Sequence, residues 1–235
     1  MKNDGFDRRS FLKGSMAGGA AALTAPLAER AHAQQDGPPA EAPPTGYTYL
    51  NPEEAAFVEA LVDHMVPADE LTPKGTDIGI NVYIDRALAS GWGKGDRLYM
   101  QGPWKPGVPS QGYQLPLTPA ELYRAGIAAA NAFCRKAYGK RFHEIAEGER
   151  EEFLLALRAG KVDFAGGPPA RTFFSMLYQN VMEGMFSDPV YGGNRGKAGW
   201  KLIGFPGVIA VHRENVEKFR GRKFEAQPLG IPDMS

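Results

Sequence analysis

Cysteine and histidine are scarce in this chain of 235 residues, which contains a single cysteine, Cys134, and four histidines. One cysteine excludes an internal disulfide, covalent haem attachment, a cysteine-ligated iron–sulfur cluster and a Cys/His zinc site. Cys134 lies on the face of a predicted helix, so we expect a buried and unreactive thiol. We expect no cofactor and no metal site in this chain.

Motifs of the common reaction centres are also missing. His143-Glu144 begins like the zinc-protease helix motif, but Glu147 stands where the second histidine is required. The glycine-rich stretch 191–198 has neither the P-loop spacing nor a G-x-G-x-x-G pattern, and no G-x-S-x-G elbow occurs. His64 and His212 receive no role, because isolated histidines on helices are mostly structural. The sequence therefore predicts a protein without a reaction centre of its own, with no catalytic residues.

Neither sign of charge is in excess, with 27 basic and 27 acidic residues. Residues 1–33 hold five of the basic and three of the acidic residues, so the remainder has 22 and 24. This balance argues against nucleic acid as a partner. About 200 residues suffice for one domain with its own hydrophobic core.

The first 33 residues have the three zones of an export signal. A charged start is followed by a weakly apolar Ala/Gly-rich run from Gly14 to Ala28, and the small-residue site Ala31-His32-Ala33 predicts cleavage after Ala33. The run is too short and too weakly apolar for a membrane span. The start resembles the twin-arginine signature. Its signature residues are Arg8, Arg9, Phe11 and Leu12. We predict twin-arginine export to the periplasm, the alternative being an ordinary secretory signal.

The remaining chain predicts a mainly α-helical single domain with long irregular Gly/Pro/aromatic-rich loops and extended termini, since apolar residues recur at helical spacing and no period-two strand set appears. The predicted helices lie within residues 51–67, 80–91, 118–139, 147–160 and 170–188. Residues 34–50 are predicted to be a flexible leader, 51–219 the helical domain, and 220–235 an extended C-terminal tail that wraps a partner. The loop 91–117 is expected to be ordered against a partner.

The segment 173–207 ends in sixteen residues, Gly192 to Gly207, of which six are glycines. Bulky residues are interleaved with these glycines, which suits a well-packed interface with a partner protein. The alternative is a loop that caps the helical core of its own subunit. The predicted interface residues are Phe186, Asp188, Tyr191, Gly192, Gly193, Asn194, Arg195, Trp200, Phe205, Pro206 and Gly207.

Two motifs in this segment carry a family resemblance. The run Phe186-Ser187-Asp188-Pro189-Val190-Tyr191-Gly192-Gly193-Asn194-Arg195, followed by Gly199-Trp200-Lys201-Leu202-Ile203-Gly204-Phe205-Pro206-Gly207, resembles the small third subunit of gluconate 2-dehydrogenase-type complexes. The similarity extends to 65–73, 83–89 and 123–126.

The resemblance implies a complex of three subunits: a large flavin-dependent subunit of the glucose-methanol-choline type, a membrane-attached cytochrome c subunit, and this chain. FAD and haem c are expected in the partners. The small subunit would support maturation of the large one and supply the signal by which the twin-arginine translocase exports both, giving a periplasmic complex held at the inner membrane. A transient export chaperone and a stand-alone periplasmic enzyme using His64, Asp69 or Asp85 remain alternatives.

Overall fold

The computed structural model describes residues 46–105, 107–208 and 212–234. The predicted signal, cleavage site and most of the predicted leader lie outside these ranges. Within them the chain folds into seven α-helices without a β-strand, which confirms the mainly α-helical prediction. The helices are α1 Pro52–Met65, α2 Ile80–Ala89, α3 Pro119–Tyr138, α4 Glu147–Ala159, α5 Ala170–Phe186, α6 Ala198–Ile203 and α7 Asn215–Lys218.

Local signals set the ends of the longer helices. Asn51 accepts a hydrogen bond from the backbone N–H of Glu54, whose carboxylate accepts the N–H of Asn51, both at 3.0 Å. Thr118 and Glu121 form the same reciprocal cap at the start of α3. Such a pair satisfies two amides that a helix start leaves unbonded. The described helices α1 to α5 fall within the five predicted segments.

The core is built around aromatic side chains from α1, α5 and the turn after α3. Phe57, Phe142 and Phe173 are fully buried, and the ring centroids of Phe57 and Phe142 lie 4.4 Å apart. Gly126 on α3 faces the Phe173 ring, and a Cβ at this position would overlap that ring. The missing side chain therefore lets α5 pack closely on α3.

The N-terminal end of the described chain is held by α2. The Asp85 carboxylate is 3% exposed and accepts the backbone N–H groups of Thr48, Tyr49 and Leu50 at 2.7, 2.8 and 2.9 Å. The Tyr49 hydroxyl also donates to the carbonyl of Ala120 at 2.7 Å. Residues 48–50, which the sequence assigns to a flexible leader, are thus anchored to the helical domain.

The loop 91–117 packs partly against its own subunit. Trp92, Tyr113 and Leu115 contact the core, and the Tyr113 hydroxyl donates to the carbonyl of Leu117 at 2.6 Å. Tyr99 in the same loop is 73% exposed. Contact of this loop with a partner stays a prediction. Across the described ranges, no helix is both long enough and apolar enough to span a bilayer.

Cys134 is fully buried on α3, and burial raises the pKa of its thiol to about 12. Because the thiolate is the reactive form, we expect negligible reaction of the native protein with Ellman's reagent at pH 8 and about one equivalent of colour after unfolding in guanidinium. Absorbance at equal protein concentration measures both. Stoichiometric reaction of the native chain at the rate of the unfolded chain would contradict the buried-thiol prediction.

Candidate functional site

A groove of about 780 Å³ opens where the end of α5 lies beside α2. Tyr83 and Arg86 of α2 form one wall, and Trp92 lies on the loop that follows α2. The opposite wall comes from the end of α5 and the turn after it, namely Glu183, Phe186, Ser187, Asp188, Val190 and Tyr191. The groove therefore includes the first part of the segment in which the sequence predicts an interface.

Asn194 holds this segment together from inside. Its side chain is completely buried, donates to the carbonyl of Ser187 at 2.8 Å and accepts the N–H of Gly199 at 2.9 Å. Its φ of 48° lies in the left-handed region, which asparagine tolerates better than most residues. Asn194 thus bridges the turn after α5 to the start of α6.

Trp200 on α6 is also an internal residue, with 5% of its surface exposed. Its indole N–H donates to the carbonyl of Phe186 at 2.8 Å, and its ring meets Phe205 edge-on at 5.3 Å between centroids. In the described chain, Trp200 and Asn194 therefore match the alternative in which the segment caps its own helical core.

Two predicted interface glycines are needed for close contact between main chains. A Cβ on Gly193 would overlap the carbonyl oxygen of Gly184 on α5. A Cβ on Gly207, whose φ is 91°, would overlap the backbone of Leu229. Both positions lie inside the subunit, where no side chain fits.

Other predicted interface residues face outward or line the groove. Tyr191 is 55% exposed. The side chain of Arg195 is exposed, while its backbone N–H donates to the carbonyl of Ile78 at 2.9 Å. Phe186 and Asp188 are half-buried in the groove wall, and Phe205 and Pro206 are half-buried beside α6. Their contact with a partner stays a prediction.

The end of the predicted tail packs on the same segment. Asp188 accepts the N–H of Val190 at 3.0 Å through one oxygen and the N–H of Ile231 at 2.8 Å through the other. Lys197 pairs with Asp233, and the N–H of Val208 donates to the carbonyl of Leu229 at 2.8 Å. These contacts fix residues 229–233 to their own chain.

The three residues considered for a stand-alone enzyme lie on separate elements and have local partners. His64 Nε2 lies 2.8 Å from Glu151 Oε2. Asp69 accepts the N–H groups of Thr72 and Leu71, and these bonds lower the pKa of its carboxyl. Asp85 holds the amides of residues 48–50, as described above. In the described part of the chain, no three His, Cys, Asp or Glu side chains are grouped so that they could hold a metal ion.

A series of side-chain hydrogen bonds, which the sequence analysis did not predict, links the core to the groove. The Tyr123 hydroxyl donates to Asn180 at 2.8 Å, and the Asn180 amide donates to Glu183 at 2.9 Å. Tyr83 also donates to Glu183, at 3.3 Å. Burial and the nearby Glu183 carboxylate raise the pKa of Tyr83 to about 12. The sequence does show Asn180 and Glu183 three residues apart, on one face of α5. It does not show that Tyr123 and Tyr83, which lie on other helices, would bond to them.

Comparison with known proteins identifies two parts of the chain. The family model described as gluconate 2-dehydrogenase subunit 3 matches residues 52–207. The model of the twin-arginine translocation pathway signal sequence matches residues 5–25, which indicates export across the cytoplasmic membrane. No curated protein and no solved structure matches the chain. Since the first match spans well over half of the residues, including α1 to α6 and the glycine-rich segment, the chain belongs to the gluconate 2-dehydrogenase subunit 3 family.

Proposed function

We propose that this chain is the non-catalytic small subunit of a periplasmic sugar or sugar-acid dehydrogenase held at the inner membrane. It binds a large flavin-dependent subunit of the glucose-methanol-choline type, supports its maturation and carries it through the twin-arginine translocase. FAD belongs to that large subunit and haem c to a membrane-attached cytochrome subunit. The observation that carries the proposal is a subunit-family match and a twin-arginine signal on one chain.

The distribution of polar groups supports a binding role. Three polar side chains stabilise turns or anchor chain segments, because they form hydrogen bonds with backbone groups of their own subunit. They are Asp69, Asp85 and Asn194. The groove beside α2 instead presents aromatic side chains and Arg86 toward solvent, and such residues are frequent in protein interfaces.

Co-expression with the large subunit tests the export role. Replacing Arg8 and Arg9 with lysine should lower flavin-dependent dehydrogenase activity and FAD content in the periplasmic fraction by about tenfold or more, because the twin-arginine route reads this pair. Replacing Arg30 with lysine is the matched control and should leave both unchanged. Undiminished periplasmic activity of the double-lysine variant would contradict the carrier role.

The same preparation distinguishes a resident subunit from a transient chaperone. A subunit should remain at one copy per large chain in the purified periplasmic complex, and quantitative mass spectrometry measures this ratio. Loss of the small chain from active, FAD-loaded enzyme would favour the chaperone alternative.

A further inference from the structure

We propose that the groove between α2 and the end of α5 binds a carboxylate-bearing segment of the large flavin-dependent subunit, and that Arg86 receives this carboxylate. This inference rests on the proposed function. It adds the surface used for docking and the chemistry of the docked segment. The segment would carry an aspartate, a glutamate or a chain-terminal carboxylate beside an apolar side chain.

The first argument is that the Arg86 guanidinium has no hydrogen-bonding partner among the described residues. Arg86 lines the groove and is half-buried, yet its guanidinium makes no hydrogen bond or ion pair with any other residue that the structure describes. Three other arginines of the same domain form ion pairs within it, for example Arg124 with Glu54 at 2.9 Å and Arg141 with Glu144 at 2.8 Å. A planar guanidinium offers two parallel N–H donors to a carboxylate, so Arg86 is available for an anion from outside the subunit.

The glycine-rich segment leaves room for Arg86 in this position. A Cβ on Gly192, whose φ is 101°, would lie 3.0 Å from Arg86 Nη1 and 3.0 Å from Val82 Cγ1. Any side chain at this position would thus force Arg86 and Val82 to shift by a few tenths of an ångström, and the positive φ would strain the backbone. Glycine at position 192 therefore allows the positive φ and also leaves space for the Arg86 side chain.

The second argument is that the carboxylates of the groove already have hydrogen-bond donors. The carboxylate of Glu183 already accepts hydrogen bonds from Gln179, Asn180 and Tyr83. The two oxygens of Asp188 accept backbone N–H groups, as described above. Both carboxylates of the groove thus already accept hydrogen bonds within the subunit, and Arg86 is the charged side chain of the wall whose N–H groups have no partner among the described residues. A carboxylate of the partner can accept these N–H groups, whereas a lysine or arginine of the partner has no acceptor to offer them.

The third argument favours a protein segment over a small anion. Val190 and Tyr191 on the groove wall are 45% and 55% exposed, and Trp92 and Phe186 are half-buried. A polypeptide can cover these apolar surfaces while its carboxylate reaches Arg86. A highly hydrated sugar acid would gain little from them. Arginine and aromatic residues that meet in one desolvated patch are the usual energetic centre of a protein interface.

The test measures binding of the FAD-loaded large subunit to full-length variants purified after co-expression. Arg86→Glu should weaken the affinity by about 100-fold, since it removes a charge-assisted pair and opposes two like charges. Arg86→Lys should weaken it less, because the positive charge remains. Arg158→Glu is the matched control. It reverses the charge of an exposed side chain on α4 outside the groove and should leave the affinity unchanged. Thermal unfolding of each isolated variant establishes that its fold is intact.

The possible failures are distinguishable. If Arg86→Glu melts like the unaltered chain and binds the large subunit equally well, the groove inference is wrong while the proposed function stands. If the unaltered chain itself never binds the large subunit, the proposed function fails. If calorimetry shows that gluconate binds the isolated chain through Arg86 and the large subunit does not compete, the groove takes a small anion and the docking proposal is overturned.

Discussion

Replacing Trp200 with alanine is expected to lower the free energy of unfolding by about 3–5 kcal/mol. The indole is 5% exposed, so its removal leaves a cavity between α6 and the end of α5. It also removes the hydrogen bond from the indole N–H to the carbonyl of Phe186, which is 2.8 Å long. Urea unfolding of the chain without its signal, followed by far-UV circular dichroism, measures this loss.

Tyr191→Ala is the matched control for Trp200→Ala, because both positions belong to the same glycine-rich segment. Tyr191 is 55% exposed, and its truncation should change the unfolding free energy by no more than about 0.5 kcal/mol. Equal losses from the two substitutions would contradict this division of the segment into internal and surface residues. Unaltered stability of Trp200→Ala would favour the interpretation of Trp200 as a partner contact.

Asp85→Ala is expected to lower the free energy of unfolding by about 3 kcal/mol. The carboxylate is the acceptor for three backbone N–H groups, and bonds to a charged acceptor contribute more than neutral ones. Its removal frees residues 48–50 from α2, including the buried Leu50. Hydrogen exchange at the amides of residues 48–50 should accelerate, and urea unfolding gives the energy.

Two variants test this assignment of Asp85. Asp85→Asn keeps one carbonyl oxygen as an acceptor and should lose about 1–2 kcal/mol. Asp77→Ala removes an exposed carboxylate just before α2 and should stay within about 0.5 kcal/mol of the unaltered chain. Preserved amide protection at residues 48–50 in Asp85→Ala would show that other contacts anchor this stretch.

The long helices could be predicted because their ends are encoded locally. The pairs Asn51/Glu54 and Thr118/Glu121 cap helices through residues three positions apart. Gly139 and Gly160 adopt φ values of 75° and 69° where α3 and α4 end. Each signal acts within one helical turn, so it is visible in the sequence without knowledge of the fold.

Helix α6 was not predicted, since it lies within the glycine-rich segment. Its six residues are too few to show a helical period, and glycines lie at both its ends. Its anchor is the contact of Trp200 with Phe186, fourteen positions earlier. A contact of that kind depends on the path of the chain after α5, which local patterns do not specify.

One wall of the groove coincides with a segment that the sequence singles out. The unusual mixture of glycines and aromatic residues led the sequence analysis to predict a partner interface that includes Phe186, Asp188 and Tyr191, which lie on this wall. Their contact with a partner stays a prediction. The sequence did not indicate Arg86 or Trp92, because these belong to the groove only once α2 lies beside α5. An arginine on a helix surface gives no sign in the sequence of whether it will find a carboxylate within its own subunit.

The contacts of Gly193 and Gly207 have a consequence for how this family diverges. At both positions main chain lies directly against main chain, so no change of rotamer can make room for a side chain. Exposed residues can be substituted during evolution, and core residues can be substituted in compensating pairs. At positions 193 and 207, by contrast, selection should remove any residue other than glycine. The spacing of such glycines should therefore still identify related sequences after most other positions have been substituted.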